Sequence, residues 1–301
     1  MSDIFFIGIA VVDYVFSVDR MPDRAEKYRA RDCQVVGGGL SANAAVTAAR
    51  LGHDAHMIGR LGDDAVATQI TEGLEAEGVG CAGLRRFAGH RSPLSSVFVD
   101  KAGERMIVNY GDWSIPTETN WLPDELPAGT GAVMGDIRWE EGARHLFDLA
   151  RAAGLPAVLD VDRPPFDASL LDAASHVALS AQALREMTGT DDARDGLRRL
   201  RDRCSAHLSV TIGAEGTLFF EGGTIAHEPA FKVDVVDTLG AGDVWHGALT
   251  VALAEGMETR EAIRFASAAA ALKCMTFGGR TGIPRRAELD RFLKTREGFE
   301  A

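Results

Sequence analysis

The chain has 301 residues, of which 46% are apolar and 25% are charged, an ordinary composition for a globular protein. Its net charge of −12 argues against nucleic acid as a main partner and offers no basic face to a membrane. No uninterrupted apolar run approaches the roughly 20 residues that span a bilayer, and no basic segment precedes the first apolar run. The four cysteines form no C-x-x-C pair, which favours reduced thiols in the cytoplasm over a zinc site.

The first apolar run predicts how the chain enters its main sheet. Ile4 to Val12 is nearly all apolar, as expected of a central parallel strand buried on both faces. It ends at Asp13, and an acid at the carboxyl end of such a strand lies where open α/β sheets bind ligands. A turn residue is the alternative for Asp13. Residues 14–35 then favour a hairpin that leaves the main sheet, with its second strand over Tyr28 to Val36.

Val36 to Gly52 combines three opening glycines with an alanine-rich helix. Within it, Asn43 suits either a helix cap or a contact to a ligand hydroxyl. A strand is predicted over Ala55 to Gly59 and an amphipathic helix over Thr68 to Glu77. A further hairpin joins the alternating segments Ser95–Val99 and Arg105–Tyr110 through the turn Asp100-Lys101-Ala102-Gly103.

From Gly131 onward, strand and helix patterns alternate, which implies βαβ units and a parallel sheet covered by helices on both faces. No G-x-G-x-x-G follows the first strand, which argues against a dehydrogenase. The predicted segments are Ala132–Met134, Gly142–Ala153, Pro156–Val161, His176–Leu179, Ala181–Met187 and Leu208–Ile212, then a hairpin of Gly216–Phe220 with Gly223–His227, and a helix over Glu261–Phe277.

The stretch from Val235 to Gly247, V-V-D-T-L-G-A-G-D-V-W-H-G, carries the strongest chemical signal. The valines from Val233 to Val236 suggest a strand end, and the small residues after them open a helix. The first turn of such a helix offers unpaired N–H groups and a positive dipole end to an anion. Asp243 beside it suits the deprotonation of a hydroxyl during phosphoryl transfer. No G-K-[ST] follows the glycines, so this is not a Walker A loop.

The string D-T-x-G-A-G-D resembles the signature of the ribokinase-like carbohydrate kinases, the PfkB family. G-G-x-x-x-N-x-A, G-x-x-G-x-D and T-x-G-x-x-G resemble further motifs of that family, so the likeness extends over the whole chain. The resemblance implies an α/β, ribokinase-like fold, in which a parallel-sheet α/β/α core carries a small β-sheet lid. It implies one kinase domain over residues 1–301, with lid segments inserted at about 14–35 and 95–110.

The resemblance also assigns roles to residues of the motifs. Asp243 is the implied base, with the amides of Gly240, Ala241 and Gly242 as the anion hole. Sugar hydroxyls are implied to contact Asp13, Gly38, Gly39 and Asn43. The nucleotide is implied to contact Ser180, Thr211, Gly213, Gly216, Ala268, Ala271 and Leu272, and a potassium ion is implied near Asp237. The family's N-x-x-E motif for magnesium is missing, because this chain has Ser180-Ala181-Gln182-Ala183 there.

Within the family, the chain resembles the 6-deoxy-6-sulfofructose kinases of sulfoglycolysis. The shared segments are K-Y, G-E-R-x-x-x-N-Y, D-x-R-W-x-x-G and F-K-V-D-V-V-D-T-x-G-A-G-D. The resemblance implies that Lys27, Asn109 and Arg138 hold a sulfonate at C6. A guanidinium fork suits such an oxyanion, although a phosphate would satisfy the same groups.

We therefore expect ATP- and Mg²⁺-dependent phosphorylation of the C1 hydroxyl of sulfofructose. The partners would be an anionic ketose, ATP and a second copy of the chain docked through the lid face that carries Tyr14, Phe16 and Val18. A kinase of ribose, fructose or a ketohexose phosphate is the first alternative. A non-catalytic regulator that binds sugar or nucleotide is the second alternative, and the intact Asp243 argues against it.

Overall fold

The computed structural model describes residues 1–101 and 104–297. The strands in this part are β1 (Asp3–Ile7), β2 (Val11–Ser17), β3 (Asp32–Gly38), β4 (Asp54–Gly62), β5 (Gly80–Phe87), β6 (Leu94–Val99), β7 (Arg105–Tyr110), β8 (Thr130–Asp136), β9 (Ala157–Val161), β10 (His176–Ser180), β11 (His207–Thr211), β12 (Thr217–Glu221) and β13 (Thr224–Glu228). The helices are α1 (Leu40–Arg50), α2 (Ala65–Glu75), α3 (Glu140–Ala153), α4 (Leu170–Ala173), α5 (Ala181–Thr188), α6 (Ala193–Arg201), α7 (Ala241–Ala254), α8 (Thr259–Cys274) and α9 (Arg286–Glu297). None of these described helices is both long and apolar enough to cross a membrane.

A large sheet takes nine of the described strands in the order β13-β12-β11-β10-β9-β8-β1-β4-β5. Its neighbours run parallel from β11 to β5, and β12 and β13 extend it as an antiparallel hairpin. Phe6 of β1 is buried in a cluster with α1, α7 and α8 on one face, whereas Ile7 is buried in a cluster with α3, α5 and α6 on the other. Since both faces are covered by helices, the predicted α/β/α core is confirmed.

The other described strands form a separate sheet in the order β3-β2-β6-β7. It joins two antiparallel hairpins, β2–β3 and β6–β7, through a parallel pairing of β2 with β6. The Asp100 N–H donates to Glu104 O across the end of the β6–β7 hairpin, at 3.2 Å. The predicted turn residues Ala102 and Gly103 lie outside the described residues. The small sheet lies apart from the large one, as the predicted fold requires.

The first apolar run is divided between the two sheets, so the prediction of one strand from Ile4 to Val12 was wrong. β1 ends at Ile7, and Asp13 lies in the middle of β2 in the small sheet. The division occurs at Gly8, whose φ is 150° and where an added Cβ would lie 2.1 Å from Asp136 Oδ2. Val12, in β2, is buried like Ile7 of β1. The sequence therefore stays apolar across the break and predicts one strand.

Two other expectations differ from the structure. The second strand of the first hairpin begins at Asp32 rather than Tyr28, so a connection without a strand covers residues 18–31. The Val233–Val236 run forms no strand, and Val236 remains exposed. Its backbone instead meets the end of α8, because the Val236 N–H donates to Cys274 O at 2.8 Å.

Close packing of α1 against α7 connects the two ends of the chain. An added Cβ at Gly247 of α7 would lie 2.6 Å from Ala44 O and 2.9 Å from Thr47 Cβ, both in α1. These distances leave no room for a methyl group, and the backbone of a buried helix cannot move away cheaply. Glycine at position 247 therefore sets the distance between the helices that carry Asn43 and Asp243.

Replacing Gly247 by alanine should lower the free energy of unfolding by about 1–3 kcal/mol, because the added methyl overpacks the helix interface. Urea denaturation followed by circular dichroism measures this change.

The matched control is Gly73→Ala in α2, where an added Cβ meets nothing within 4 Å. That exchange should raise stability by about 0.5–1 kcal/mol, the usual preference of a helix for alanine. Equal stabilities of the Gly247→Ala and Gly73→Ala variants would contradict the close contact between α1 and α7.

Candidate active site

The N-terminus of α7 follows a tight turn from Asp237 to Gly240 and carries Asp243 in its first helical turn. Gly240 has a φ of 75°, a left-handed conformation that glycine adopts without strain. An added Cβ at Gly242 would meet nothing within 4 Å, so the space in front of the helix end is open. Asp243 itself is partly exposed beside that space.

The first amides of α7 differ in their partners. The Ala241 N–H donates to Thr238 O at 3.2 Å, and the Val244 N–H donates to Gly240 O at 3.0 Å. The amides of Gly242 and of the residue after it lie between these two, where a helix leaves its first N–H groups unpaired. Together with the helix dipole, they make this end a site for an anion. Of the three amides assigned to the anion hole, that of Ala241 already has a partner within the turn.

Asn43 connects α1 to the carboxylate of Asp243. Its Nδ2 donates to Asp243 Oδ2 at 2.7 Å, and its Oδ1 accepts a hydrogen bond from Arg280 Nε at 3.0 Å. The Arg280 guanidinium is buried and also donates to Gly38 O at 3.4 Å. Burial lowers the pKa of Arg280 to about 10, so this side chain stays cationic at neutral pH. Asn43 therefore lies between a buried cation and Asp243.

Buried charges behind Asp243 change its acidity. Asp160 at the end of β9 lies 3.0 Å, Oδ2 to Nδ1, from His246, one turn after Asp243 on α7. Burial and the negative charge of Asp160 raise the pKa of Asp243 to about 7, although the hydrogen bond from Asn43 opposes this. Burial lowers the pKa of His246, but the neighbouring Asp160 outweighs it, so the pKa is raised. A carboxylate with a pKa near neutrality is suited to general-base catalysis.

The predicted glycine pair before α1 lies in close contact with a side chain at Gly38 and with backbone at Gly39. An added Cβ at Gly38 would lie 2.2 Å from Asp13 Oδ2. Gly39 has a φ of 95°, and an added Cβ there would lie 2.5 Å from Ile9 O. The structure thus brings Asp13 against the start of α1, although β2 and α1 belong to different layers.

Polar residues form a row across the small sheet. Asp13 of β2 pairs in register with Ser95 of β6, which pairs with Asn109 of β7. Residues paired in register project from the same face of a sheet, so Asn109 lies on the face that carries Asp13. Burial raises the pKa of Asp13, while a hydrogen bond to Ser95 and the charge of Arg280 oppose that rise. The family resemblance assigned Asp13 and Asn109 to one sugar, and the pairing of the strands places them on one face of the small sheet.

The carboxylate of Asp136, at the end of β8, accepts hydrogen bonds from the segment that passes from the large sheet to the small one. Its Oδ2 accepts hydrogen bonds from the Ile9 N–H at 2.9 Å and from the Ser41 hydroxyl at 2.6 Å. Its Oδ1 accepts the Arg138 N–H at 2.8 Å. Burial raises the pKa of Asp136, and these hydrogen bonds oppose that rise. This carboxylate fixes the backbone on which Arg138 and the first turn of α1 depend.

Arg138 follows β8 and lines a cavity of about 840 Å³ together with Gly8, Arg60 and Trp113. Its guanidinium forms two hydrogen bonds to Asp162, at 2.9 and 2.5 Å. Burial lowers the pKa of Arg138, but the bond to Asp162 outweighs this effect, and the pKa is raised.

The three residues assigned to a sulfonate are not joined in the described structure. Lys27 is exposed on the connection between β2 and β3, and Asn109 is exposed on β7. No contact among the described residues links either side chain to Arg138. Their common role depends on a ligand that spans the space between the small sheet and the end of β8.

The residues assigned to the nucleotide lie at the carboxyl ends of β10 and β11, in the turn after β11 and on α8. Ser180 ends β10 and caps α5, since its Oγ accepts the Ala183 N–H at 3.0 Å. Thr211 ends β11, and a turn with positive φ at Gly213 and Gly216 follows it. An added Cβ at Gly216 would lie 2.1 Å from Glu228 O, so a close backbone approach explains this glycine without a ligand.

On α8 the residues assigned to the nucleotide differ in exposure. Ala268 is fully buried in the core, Ala271 is buried, and Leu272 is partly exposed. Leu272 is thus the residue of this group with most surface free to meet a base. Within the described residues, no cluster of three or more His, Cys, Asp or Glu side chains is arranged to hold a metal ion.

Asp237 lies beneath the turn that leads into α7. Its Oδ1 accepts the Leu239 N–H at 2.9 Å and a hydrogen bond from Arg105 at 2.5 Å. Its Oδ2 accepts the amides of Gly278–Gly279, at 3.0 and 3.1 Å, and lies 3.2 Å from Lys273 Nζ. Burial raises the pKa of Asp237, but these donors outweigh it and hold the pKa below its usual value.

Several charged or titratable residues of the site were absent from the sequence prediction. The acids among them had a usable signal, because they lie at or just after the carboxyl ends of buried strands, where α/β sheets bind ligands. The basic residues had none, since their burial depends on packing between distant segments. These residues include Asp136, Asp160, Asp162, His246, Lys273 and Arg280.

Comparison with known proteins gives the same fold and the same class of enzyme. The ribokinase of Bacillus subtilis strain 168 is 29% identical over 297 residues, which cover 97% of this chain and 100% of that protein. A crystal structure from Agrobacterium tumefaciens, provisionally assigned as a ribokinase, is 35% identical with a TM-score of 0.94 over 100% of this chain and 99% of the other. The Arabidopsis thaliana ribokinase complexed with ribose and ATP is 25% identical, with a TM-score of 0.84 over 97% of this chain and 99% of that chain.

The family profile extends over nearly the whole sequence. The profile described as pfkB family carbohydrate kinase matches residues 1–286. That stretch contains every residue assigned above to the base, the anion hole, the sugar and the nucleotide. The chain therefore has the predicted ribokinase-like fold and belongs to the pfkB family of carbohydrate kinases, ATP-binding phosphotransferases whose acceptor is an alcohol.

Proposed function

We propose that the protein transfers the γ-phosphoryl group of ATP to the C1 hydroxyl of 6-deoxy-6-sulfofructose, giving 6-deoxy-6-sulfofructose 1-phosphate. The observation that carries the kinase assignment is the position of Asp243, beside the open N-terminus of α7 with its pKa raised to about 7 by burial and by Asp160. A base and an anion site in one helical turn are what phosphoryl transfer to a hydroxyl requires.

In this proposal Asp243 takes the proton of the C1 hydroxyl as that oxygen attacks the γ-phosphorus of ATP. The bond between this phosphorus and the β–γ bridging oxygen breaks, and ADP leaves. The free amides at the start of α7 bind the oxygens of the transferring phosphoryl group, aided by the helix dipole. Asn43 keeps Asp243 in position through its 2.7 Å hydrogen bond. Asp13, Gly38 and Gly39 border the same space and would bind the sugar hydroxyls.

Magnesium fits this site only as a partner of ATP. At the place of the family's N-x-x-E motif, Ser180 is occupied as the cap of α5 and Gln182 donates to Glu186 at 2.8 Å. Phosphate oxygens and water would therefore supply most of the ligands of the ion, which screens the charge of the phosphates when bound. The chain's own contribution to charge stabilisation is the end of α7.

The assignment of a C6 sulfonate depends on Arg138, Asn109 and Lys27. Arg138 lines the large cavity at the sheet edge, and Asn109 shares the face of Asp13. A guanidinium has five N–H donors, so the two bonds to Asp162 leave further donors for a sulfonate. These remaining donors of Arg138 and the polar face of the small sheet support an anionic group on the sugar.

Ribose is the second candidate substrate. The named relatives include ribokinases, and Asp162 already balances the charge of Arg138 in the absence of an anion. Under this alternative the Arg138–Asp162 pair would be structural, and the sugar would be recognised by Asp13 and Asn43 alone.

We also propose that the small sheet, including the segments at about 14–35 and 95–110, closes over the sugar and pairs with a second copy of the chain. Its outer face carries Val35, Met106, Val108 and Tyr110, all exposed. Of the residues first assigned to that face, Val18 is buried and takes no part. The mass of the protein in solution distinguishes this dimer from a monomer.

Replacing Asp243 by asparagine should reduce kcat by at least about 100-fold, the usual contribution of a general base. The amide keeps the size and the acceptor for Asn43, so ATP affinity should change little. Coupled ADP release measures kcat, and calorimetric titration with ATP measures binding.

Asp124→Asn is the matched control, because Asp124 is exposed on the connection between β7 and β8. It should leave both quantities unchanged. An Asp243→Asn variant that keeps most of its turnover would remove Asp243 as the base.

The pH dependence of kcat/KM should report the raised pKa of Asp243. Since the base must be ionised to accept a proton, activity should level off above pH 7 and fall by about tenfold per unit below it. Asn43→Ala removes a hydrogen bond that favours the charged carboxylate, so its acid limb should move to higher pH.

Asn120→Ala is the control, because Asn120 is exposed. It should leave the pH profile of kcat/KM the same as that of the wild type. A wild-type limb near pH 4, or identical limbs in the wild type and Asn43→Ala, would show that Asp243 does not have the raised pKa.

Replacing Arg138 by alanine should lower kcat/KM for sulfofructose by about 10- to 100-fold, the value of a hydrogen bond to a charged group. Fructose and ribose, which lack the anion, should be affected little. The measurement is ADP release with sulfofructose, fructose 6-phosphate, fructose and ribose at equal concentration.

Arg144→Ala removes a guanidinium from the rim of the same cavity and serves as the control. It should leave the order of substrates unchanged. The sulfonate assignment fails if the wild-type protein prefers ribose, or if Arg138→Ala lowers kcat/KM equally for all four sugars. The ribose alternative then replaces it.

A further inference from the structure

Lys273 is a lysine without exposed surface that the proposed mechanism does not use. It lies in the last turn of α8 and is 0% exposed. Its ammonium lies 2.8 Å from Asp237 O and 3.2 Å from Asp237 Oδ2. A buried ammonium is costly unless it is paired and hydrogen-bonded, so both oxygens are needed to keep it there.

The oxygens around Asp237 do not suit a free monovalent cation. A potassium ion needs oxygen lone pairs directed at it, but both carboxylate oxygens accept N–H donors from Leu239 and Gly278–Gly279. Two side-chain cations, Arg105 and Lys273, already contact the same carboxylate and would repel a third positive charge. The ion expected from the sequence motif is therefore not accommodated by this arrangement.

The ammonium lies where it can control the anion site. The N–H groups of Val236 and Asp237 both donate to Cys274 O, at 2.8 and 3.0 Å, next to Lys273 in sequence. The following residues, Thr238 to Gly240, lead directly into the open end of α7. The position of that turn thus depends on the link between Lys273 and Asp237.

We propose that the Lys273 ammonium is a tethered monovalent cation that positions the Asp237–Gly240 turn, so that turnover does not require potassium. Lys273 is a positioning residue, since it contacts the turn and not the reacting atoms. The inference rests on the proposed function for the role of α7 and depends on no particular sugar.

The first measurement is kcat of the wild-type protein in potassium, sodium and tetramethylammonium chloride at equal ionic strength. Tetramethylammonium is too bulky to enter a buried cation site. The three values should agree within about twofold. The melting temperature should also be the same in the three salts, because nothing binds selectively to the folded state.

Two variants at one position separate charge from packing. Lys273→Ala removes the ammonium and leaves a space, so in tetramethylammonium its kcat should fall by up to about 100-fold, the cost of a misplaced catalytic group. Potassium should restore much of this loss and raise the melting temperature. Lys273→Met fills the space without a charge, and potassium should restore neither quantity. Lys232→Ala, exposed and five residues before Asp237, is the surface control and should behave as the wild type.

Several outcomes would overturn the inference. These are a wild-type kcat that rises about tenfold or more with potassium, a Lys273→Met variant as active as the wild type, and a Lys273→Ala variant that potassium neither activates nor stabilises. If the Lys273→Ala variant does not fold in any of the three salts, the measurements on the wild type and on Lys273→Met test the inference. If no sugar is phosphorylated, the proposed function fails, and the melting temperatures still test the role of Lys273.

Discussion

The packing of α1 against α7 is the contact on which the whole site depends. It sets the hydrogen bond between Asn43 and Asp243. Two residues 200 positions apart in the sequence are held at 2.7 Å because Gly247 lets the helices approach. Once α1 and α7 are placed, the glycine pair before α1 and the open turn before α7 face the same space. In the proposed reaction, a sugar between these helix starts would have its hydroxyl beside Asp243 and its phosphoryl donor beside the free amides.

A second constraint is the amount of charge buried around that space. Asp136, Asp160, Lys273 and Arg280 are all buried, and each has at least one partner of opposite charge or a set of hydrogen bonds. Such groups stabilise the fold little, because desolvation cancels most of their attraction. They do fix the positions of the backbone that they contact. Burial and the negative charge of Asp160 also make Asp243 bind its proton more tightly than it would in water.

The small sheet illustrates how one break in the backbone changes the function of a residue. As the end of a central strand, Asp13 would have been a fixed part of the core. Because Gly8 interrupts the apolar run, Asp13 instead lies on the separate sheet, in a row with Ser95 and Asn109. If the small sheet closes over a ligand, as we propose, its polar groups would cover that ligand and exclude water, which a rigid sheet edge cannot do.

The sequence by itself determined the layered α/β architecture, and it indicated the small-residue turn before α7 and the carboxylate of Asp243 beside it, the groups that we propose as anion site and base. These features are local, since periodicity, small residues and a carboxylate at fixed spacing are legible in one short stretch. Only the tertiary structure decided the break at Gly8, the pairing of Arg138 with Asp162 and the burial of Lys273 and Arg280. Those outcomes depend on the distances between segments far apart in the chain, because a side chain's partner and its desolvation are set by what packs around it.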